Sequence, residues 1–150
     1  HNMTKHLESI HTVDEETRKQ NPQWNMPYVP AIRVQRGKPV FVSGVNPAPV
    51  YHSHPHVASE FDAIPTDPAT QDNMTMDHLE AILKQAGGTL SDVVQIFVFI
   101  VDVKKNGGII GKVVTESFGD HRPTSTVVGT TGLITDSRFL IEVTATAYIE

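Results

Sequence analysis

The stretch Asp92-Val93-Val94-Gln95-Ile96-Phe97-Val98-Phe99-Ile100-Val101-Asp102-Val103 decides the fold. It is rich in β-branched residues and phenylalanine, which suit a pleated, packed surface. Alternation puts Val94, Ile96, Val98 and Ile100 on one side and Val93, Phe97, Phe99 and Val101 on the other, so both faces ask to be covered. In a chain of 150 residues this predicts a sheet with helices on one face and another subunit's sheet on the other. A central strand in a larger core is the alternative. The run from Val93 to Val103, interrupted by Gln95 and Asp102, is far shorter than the roughly 20 residues that span a bilayer, so no membrane segment is expected.

On either side of this strand the pattern turns helical. Asp67-Pro68 pairs an N-cap with proline at the first helical position, Thr75, Leu79, Ile82, Leu83 and Ala86 recur at helical spacing, and Gly87-Gly88 supplies a left-handed stop. A second helix is predicted over residues 106–118, with Ile110, Val113, Val114 and Phe118 as its stripe despite Gly107, Gly108 and Gly111. Residues 124–129 and 139–149 read as closing strands. In the latter, Ile141, Val143, Ala145, Ala147 and Ile149 alternate with Leu140, Glu142, Thr144, Thr146 and Tyr148, so Glu142 faces away from the apolar set. Upstream, residues 31–36 and 39–43 flank Gly37-Lys38 and read as a hairpin. Residues 45–66, with several prolines and closely spaced histidines, read as a long ordered loop of the kind that is usually functional or mobile. Residues 4–26 are polar, with Trp24 as the one large anchor, and predict an extension over the body or a neighbour, with at most a short helix near 14–20. His1-Asn2 ahead of Met3 reads as a tag remnant, and no signal peptide is expected to follow. The elements together give an α+β class.

Composition bounds the chemistry. One domain fits this length and can bury a core without staples. With no cysteine, thiolate nucleophiles, disulfides and cysteine zinc sites are excluded. Twelve Lys and Arg against 17 Asp and Glu give a formal net charge of -5, so no basic field exists for a phosphate backbone, and no nucleic-acid partner is expected. A cytoplasmic protein is the expectation.

Six phrases, in order, carry a family resemblance: Pro27-Tyr28-Val29-Pro30-Ala31; Phe41-Val42-Ser43-Gly44; the helix from Gln71 through Leu79 to Ala86-Gly87; Ser91-Asp92-Val93-Val94; His121-Arg122-Pro123; and Leu140-Ile141-Glu142-Val143. Together they resemble the RidA/YjgF family of reactive-intermediate deaminases over residues 27–149. The resemblance implies a chorismate-mutase-like fold, a sheet with two helices on one face, a homotrimer, and a ligand cleft at each subunit interface. It divides the chain into an N-terminal extension, 1–26, and a RidA-like domain, 27–150. Members with the archetypal activity hydrolyse enamines and imines of 2-oxo acids without a cofactor, and none is assigned here.

By the same resemblance Glu142 takes the place of the glutamate that positions water, a task needing a carboxylate because water must be oriented and partly deprotonated as it adds to an iminium carbon. On spacing alone Glu142 reads rather as an ordinary solvent-facing glutamate on an edge of the sheet, and it is the resemblance that turns the reading to catalysis. Tyr28 matches the family tyrosine, a hydrogen-bond donor to substrate, and Ser43-Gly44 matches its Ser-Gly pair; packing and strand termination are the plainer readings. Where deaminating members carry an arginine that clamps the substrate carboxylate, this chain has Ser125, and Gly111 stands in place of the family's helical asparagine. Charged hydrogen bonds are worth roughly 1.5–3 kcal/mol each, so losing a bidentate pair weakens binding of a simple imino acid by orders of magnitude. Ser125 and Thr126 suit a neutral or hydroxylated ligand better than a carboxylate, and Val127 is read with them as substrate-binding.

His52, His54 and His56 point the same way if the segment is extended, a geometry that could grip a metal. Pro55 interrupts that geometry and no cysteine completes a shell, so no metal is assigned, and His52 and His54 are read as a lid or an added acid or base. Two functions follow: a deaminase or hydrolase of a small enamine, imine or amide using Glu142, or a non-catalytic trimer that binds or senses a metabolite.

Overall fold

The computed structural model describes residues 5–150. The tag remnant expected at residues 1–2 lies outside them. The order is β1 (Leu7–Ile10), α1 (Glu15–Lys19), β2 (Ala31–Val34), β3 (Lys38–Val45), a 3-10 turn (Ala58–Phe61), α2 (Pro68–Gln85), β4 (Val93–Val101), α3 (Val103–Phe118), β5 (Thr124–Thr130) and β6 (Ile141–Ile149). The four-stranded sheet runs β3-β6-β4-β5, antiparallel except for β4 and β5, which are parallel and joined by the α3 crossover.

α2 begins and ends where its sequence says. The Asp67 carboxylate accepts the Thr70 N–H at 2.9 Å, and Pro68 occupies the first turn. At the other end Gly88 N–H reaches Leu83 O at 2.9 Å and Gly87 N–H reaches Lys84 O at 3.0 Å, the paired bonds of a Schellman cap, with Gly87 at φ +85°. Its buried face carries Thr75, Met76, Leu79 and Leu83, which pack with α3 residues Ile110, Val114 and Phe118 on the apolar face of the sheet. Each such Leu or Ile contributes roughly 1.5–3 kcal/mol by leaving water.

Three expectations are corrected. The hairpin over 31–43 does not form: β2 pairs with β1 (Leu7 opposite Val34, Ile10 opposite Ala31), while β3 pairs with β6. Gly37, at φ +107°, turns the chain between the two sheets, and a Cβ there would lie 3.2 Å from the Ile149 backbone. The extension therefore contributes a strand, tied down where His6 Nε2–H donates to Tyr148 O at 2.6 Å, in addition to the expected short helix. α3 starts at Val103, three residues before its stripe suggests, because Asp102 takes a left-handed conformation (φ +53°) that turns β4 directly into the helix. Asn106 Nδ2 then donates to Val101 O at 2.8 Å across that turn. Finally, Val93 and Val94 exchange sides. The β4–β6 register is irregular between Val93 and Gln95, so Val93 joins Ile96, Val98 and Ile100 in the core.

The other face of the sheet is open in the single chain. It presents Phe97, Phe99, Thr144 and Thr146, with Phe41 78 % exposed. The long loop after β3 is fixed separately: Phe61, Phe139 and Ala48 form a second small core, and the buried Gln71 side chain donates to Pro65 O and Arg138 O while accepting Leu140 N–H. Among the described residues no helix is long and apolar enough to cross a membrane.

Candidate functional site

β6 places Glu142 on the open face, opposite Phe99 of β4. Across from it the β3–β6 register slips between Val42 and Val45, and Ser43-Gly44 lies in that irregular segment. A Cβ on Gly44 would sit 2.9 Å from Glu142 Oε2 and 3.0 Å from Cδ, so only glycine lets the carboxylate lie this close to the β3 backbone.

Asn46, 7 % exposed, holds the carboxylate. Its Nδ2 donates to Glu142 Oε1 at 3.1 Å and to Thr135 Oγ1 at 3.0 Å, and its Oδ1 accepts the Ala48 N–H at 2.9 Å. A backbone N–H can only donate, so the Ala48 bond fixes which way the amide faces and commits Nδ2 to Glu142. His78 of α2 donates from Nδ1 to Asn46 O at 3.1 Å, steadying the same residue. Oε1 is thus held, while Oε2 has no hydrogen-bond partner among the described residues. A carboxylate anchored at one oxygen and open at the other can orient a water and take its proton.

Gly44 and Asn46, which meet Glu142, also line with Ser43, His52 and Ile82 of α2 a hollow of about 120 Å³ whose lining does not include Glu142 itself. His52 stacks on His54 with ring centroids 4.9 Å apart.

The remaining predicted residues gather elsewhere. Val29 N–H donates to Pro123 O at 3.1 Å, which lays the Tyr28 segment along the start of β5, and Tyr28, Ser125 and Thr126 border one shallow hollow. Ser125 and Val127 also line a mostly apolar hollow against α3, with Ile96, Val98, Val114 and Phe118. Gly111 borders that same hollow, so both positions that depart from the deaminase pattern open onto one space. Within a single chain Ser43, Gly44 and Asn46, the neighbours of Glu142, and the Tyr28 group line separate hollows.

Asn46 and Thr135 were not singled out from sequence. Asn46 reads there as one more polar residue in a proline-rich loop, and its bond to Glu142 spans 96 positions. Thr135 belongs to the β5–β6 connection, which Arg138 ties to the long loop. Its guanidinium donates to both Asp136 oxygens, to Asp62 Oδ1 at 2.9 Å and to Ala58 O at 2.9 Å. These bonds hold the Asp136 carboxyl below its usual range. Asp72 is the other residue sequence reading passed over. It is 0 % exposed, has no hydrogen-bond partner for either oxygen among the described residues, and burial pushes its carboxyl up to about 8.

Comparison with known proteins adds four findings. Residues 18–149 match the family model described as endoribonuclease L-PSP. A RutC family protein of Pyrococcus abyssi is 32 % identical over 124 residues, covering 83 % of this chain and 87 % of that protein. Among solved structures, Rv2704 of Mycobacterium tuberculosis, a member of the YjgF/YER057c/UK114 family, is 26 % identical with a TM-score of 0.60, covering 95 % of this chain and 99 % of that one. The Rid family protein YyfB of Yersinia pestis aligns with a TM-score of 0.72 at 19 % identity, covering 97 % and 100 %.

Proposed function

Since the chain belongs to the endoribonuclease L-PSP family, which takes in the YjgF and Rid proteins, we propose that it is a deaminase-type hydrolase of a small, uncharged enamine, imine or amide. Glu142 is the water-orienting base. The observation that carries this reading is the Glu142 carboxylate held at Oε1 by Asn46 with Oε2 open beside Gly44. In the reaction Glu142 takes a proton from water as its oxygen bonds to the C=N carbon. Glu142 returns that proton to the nitrogen to give the amino alcohol, which collapses to a carbonyl as its hydroxyl proton passes through the same carboxylate to nitrogen and ammonia departs.

The active unit is a homotrimer. Glu142 with Ser43 and Gly44, and Tyr28 with Ser125 and Thr126, are two half-sites on different parts of one subunit, and a cleft between subunits joins them. The open sheet face bearing Phe41 supports such an assembly, since an aromatic 78 % exposed gains by burial. Ser125 and Gly111 leave the adjoining hollow neutral and apolar, which favours a ligand without a carboxylate.

A second reading, a trimer that binds or senses a metabolite without turnover, draws on that same neutral hollow. A nuclease, which the family's description suggests, is disfavoured by the net charge of -5. Ammonia release from freshly generated imines and enamines, half bearing a carboxylate at the reacting carbon and half lacking it, separates the readings. Turnover confined to the compounds without a carboxylate is expected; rapid turnover of 2-imino acids would overturn the neutral-ligand assignment. No ammonia from any compound with the trimer intact would favour the binding module.

A further inference from the structure

His52, His54 and His56 each present a ring nitrogen such that these atoms all lie within 4.8 Å of one another. The ring centroids are 4.9, 5.3 and 4.6 Å apart pairwise. We propose that the three imidazoles form a binding site for a borderline divalent transition-metal ion, Zn²⁺ by preference, at the mouth of the hollow beside Glu142. Pro55 interrupts an extended geometry and no cysteine completes a shell, but the loop folds so that all three rings converge.

The chemistry of each donor fits. His52 Nδ1 lies 2.8 Å from Pro49 O, and a carbonyl can only accept, so Nδ1 carries the proton and Nε2 keeps its lone pair for a metal. A backbone carbonyl fixing the tautomer from behind is the usual support of a metal-ligating histidine. Neither His54 nor His56 has a hydrogen-bond partner among the described residues, which leaves both rings able to ligate. Zn–N bonds of about 2.0–2.1 Å require nitrogens about 3.3 Å apart in a tetrahedral shell, a small closure for side chains this close to the surface. Imidazole donors select Zn²⁺, Ni²⁺ or Cu²⁺ over Mg²⁺ or Ca²⁺.

The loop is held on both sides of the cluster. Ser53 N–H donates to Glu60 at 3.3 and 3.4 Å, Phe61 packs edge-on to His52 at 5.6 Å between ring centroids, and Arg138 holds Ala58 O. The site is thus largely built before the ion arrives. Three protein ligands leave a fourth position open, and His52 also lines the Ser43–Gly44 hollow, so the open position lies close to the proposed cleft.

The test uses the full chain without any affinity tag, stripped with chelator and dialysed, titrated calorimetrically with ZnCl₂ and separately with MgCl₂. One Zn²⁺ per subunit at micromolar or tighter Kd and no heat with Mg²⁺ are expected. The double variant His54→Ala/His56→Ala should lose at least about 100-fold in affinity, and His11→Ala should bind as the parent does. Cobalt(II) should give a visible d–d spectrum that the double variant lacks. Binding well below one ion per subunit, or a double variant that binds as tightly as the parent with its circular dichroism unchanged, would overturn the site. These readouts do not depend on turnover, so they stand or fall apart from the hydrolase proposal.

Discussion

Asp72 faces the interior from α2 with neither carboxylate oxygen hydrogen-bonded to any described residue. Burial alone raises its carboxyl from 3.8 to about 8, so the folded protein holds a proton there that the unfolded chain releases near pH 4. A carboxyl whose folded pKa is raised leaves stability untouched below the unfolded value. It then costs progressively more as pH rises toward the folded value, and the penalty is constant above it. At about 1.4 kcal/mol for each tenfold in proton affinity, the full penalty above pH 8 is on the order of 5 kcal/mol. Asp72→Asn has nearly the shape of the protonated acid and no charge to bury, so it removes this penalty. Urea unfolding at fixed protein concentration should give similar stabilities for parent and variant near pH 4. The variant's advantage should then grow by several kcal/mol between pH 5 and 8. Parallel pH profiles for the two proteins would mean that Asp72 is not held protonated by burial.

Two further outcomes follow from the site and the sheet face. Gly44→Ala should displace the Glu142 carboxylate, because the added methyl would lie 2.9 Å from Oε2; kcat on any substrate should fall by about 10- to 100-fold with near-ultraviolet dichroism preserved, and unchanged kcat would separate Gly44 from the reacting geometry. Phe41→Asp puts a charge in place of the exposed aromatic that the proposed trimer would bury, so if the parent sediments as a trimer the variant should sediment as a monomer, whereas an intact trimer would exclude Phe41 from the contact.

Local signals made much of the fold legible. The capping residues of α2 name its ends, and the two-sided strand 93–101 announces a central position with an uncovered face. What the sequence hid was pairing over distance. Nothing near Gly37 reveals that β3 will pair with β6, over a hundred residues on, in place of β2, and a one-residue irregularity at Val93–Gln95 is invisible to an alternation rule. In the site, Glu142 was placed on the correct face by alternation, but the residue that holds it, Asn46, carries no local mark of its role. The histidines were seen as a cluster; their convergence depends on how the loop folds around Phe61 and Pro49, which spacing does not encode.

Whether Glu142 activates water is decided by comparing Glu142→Gln with the parent for ammonia release and, in parallel, for equilibrium binding of an unreactive amide analogue. Gln keeps the shape and can still meet Asn46 but cannot accept a proton from water. Turnover lower by at least about 100-fold, with Kd changed only a few-fold, is the result expected. Turnover equal to that of the parent, with binding intact, would contradict it.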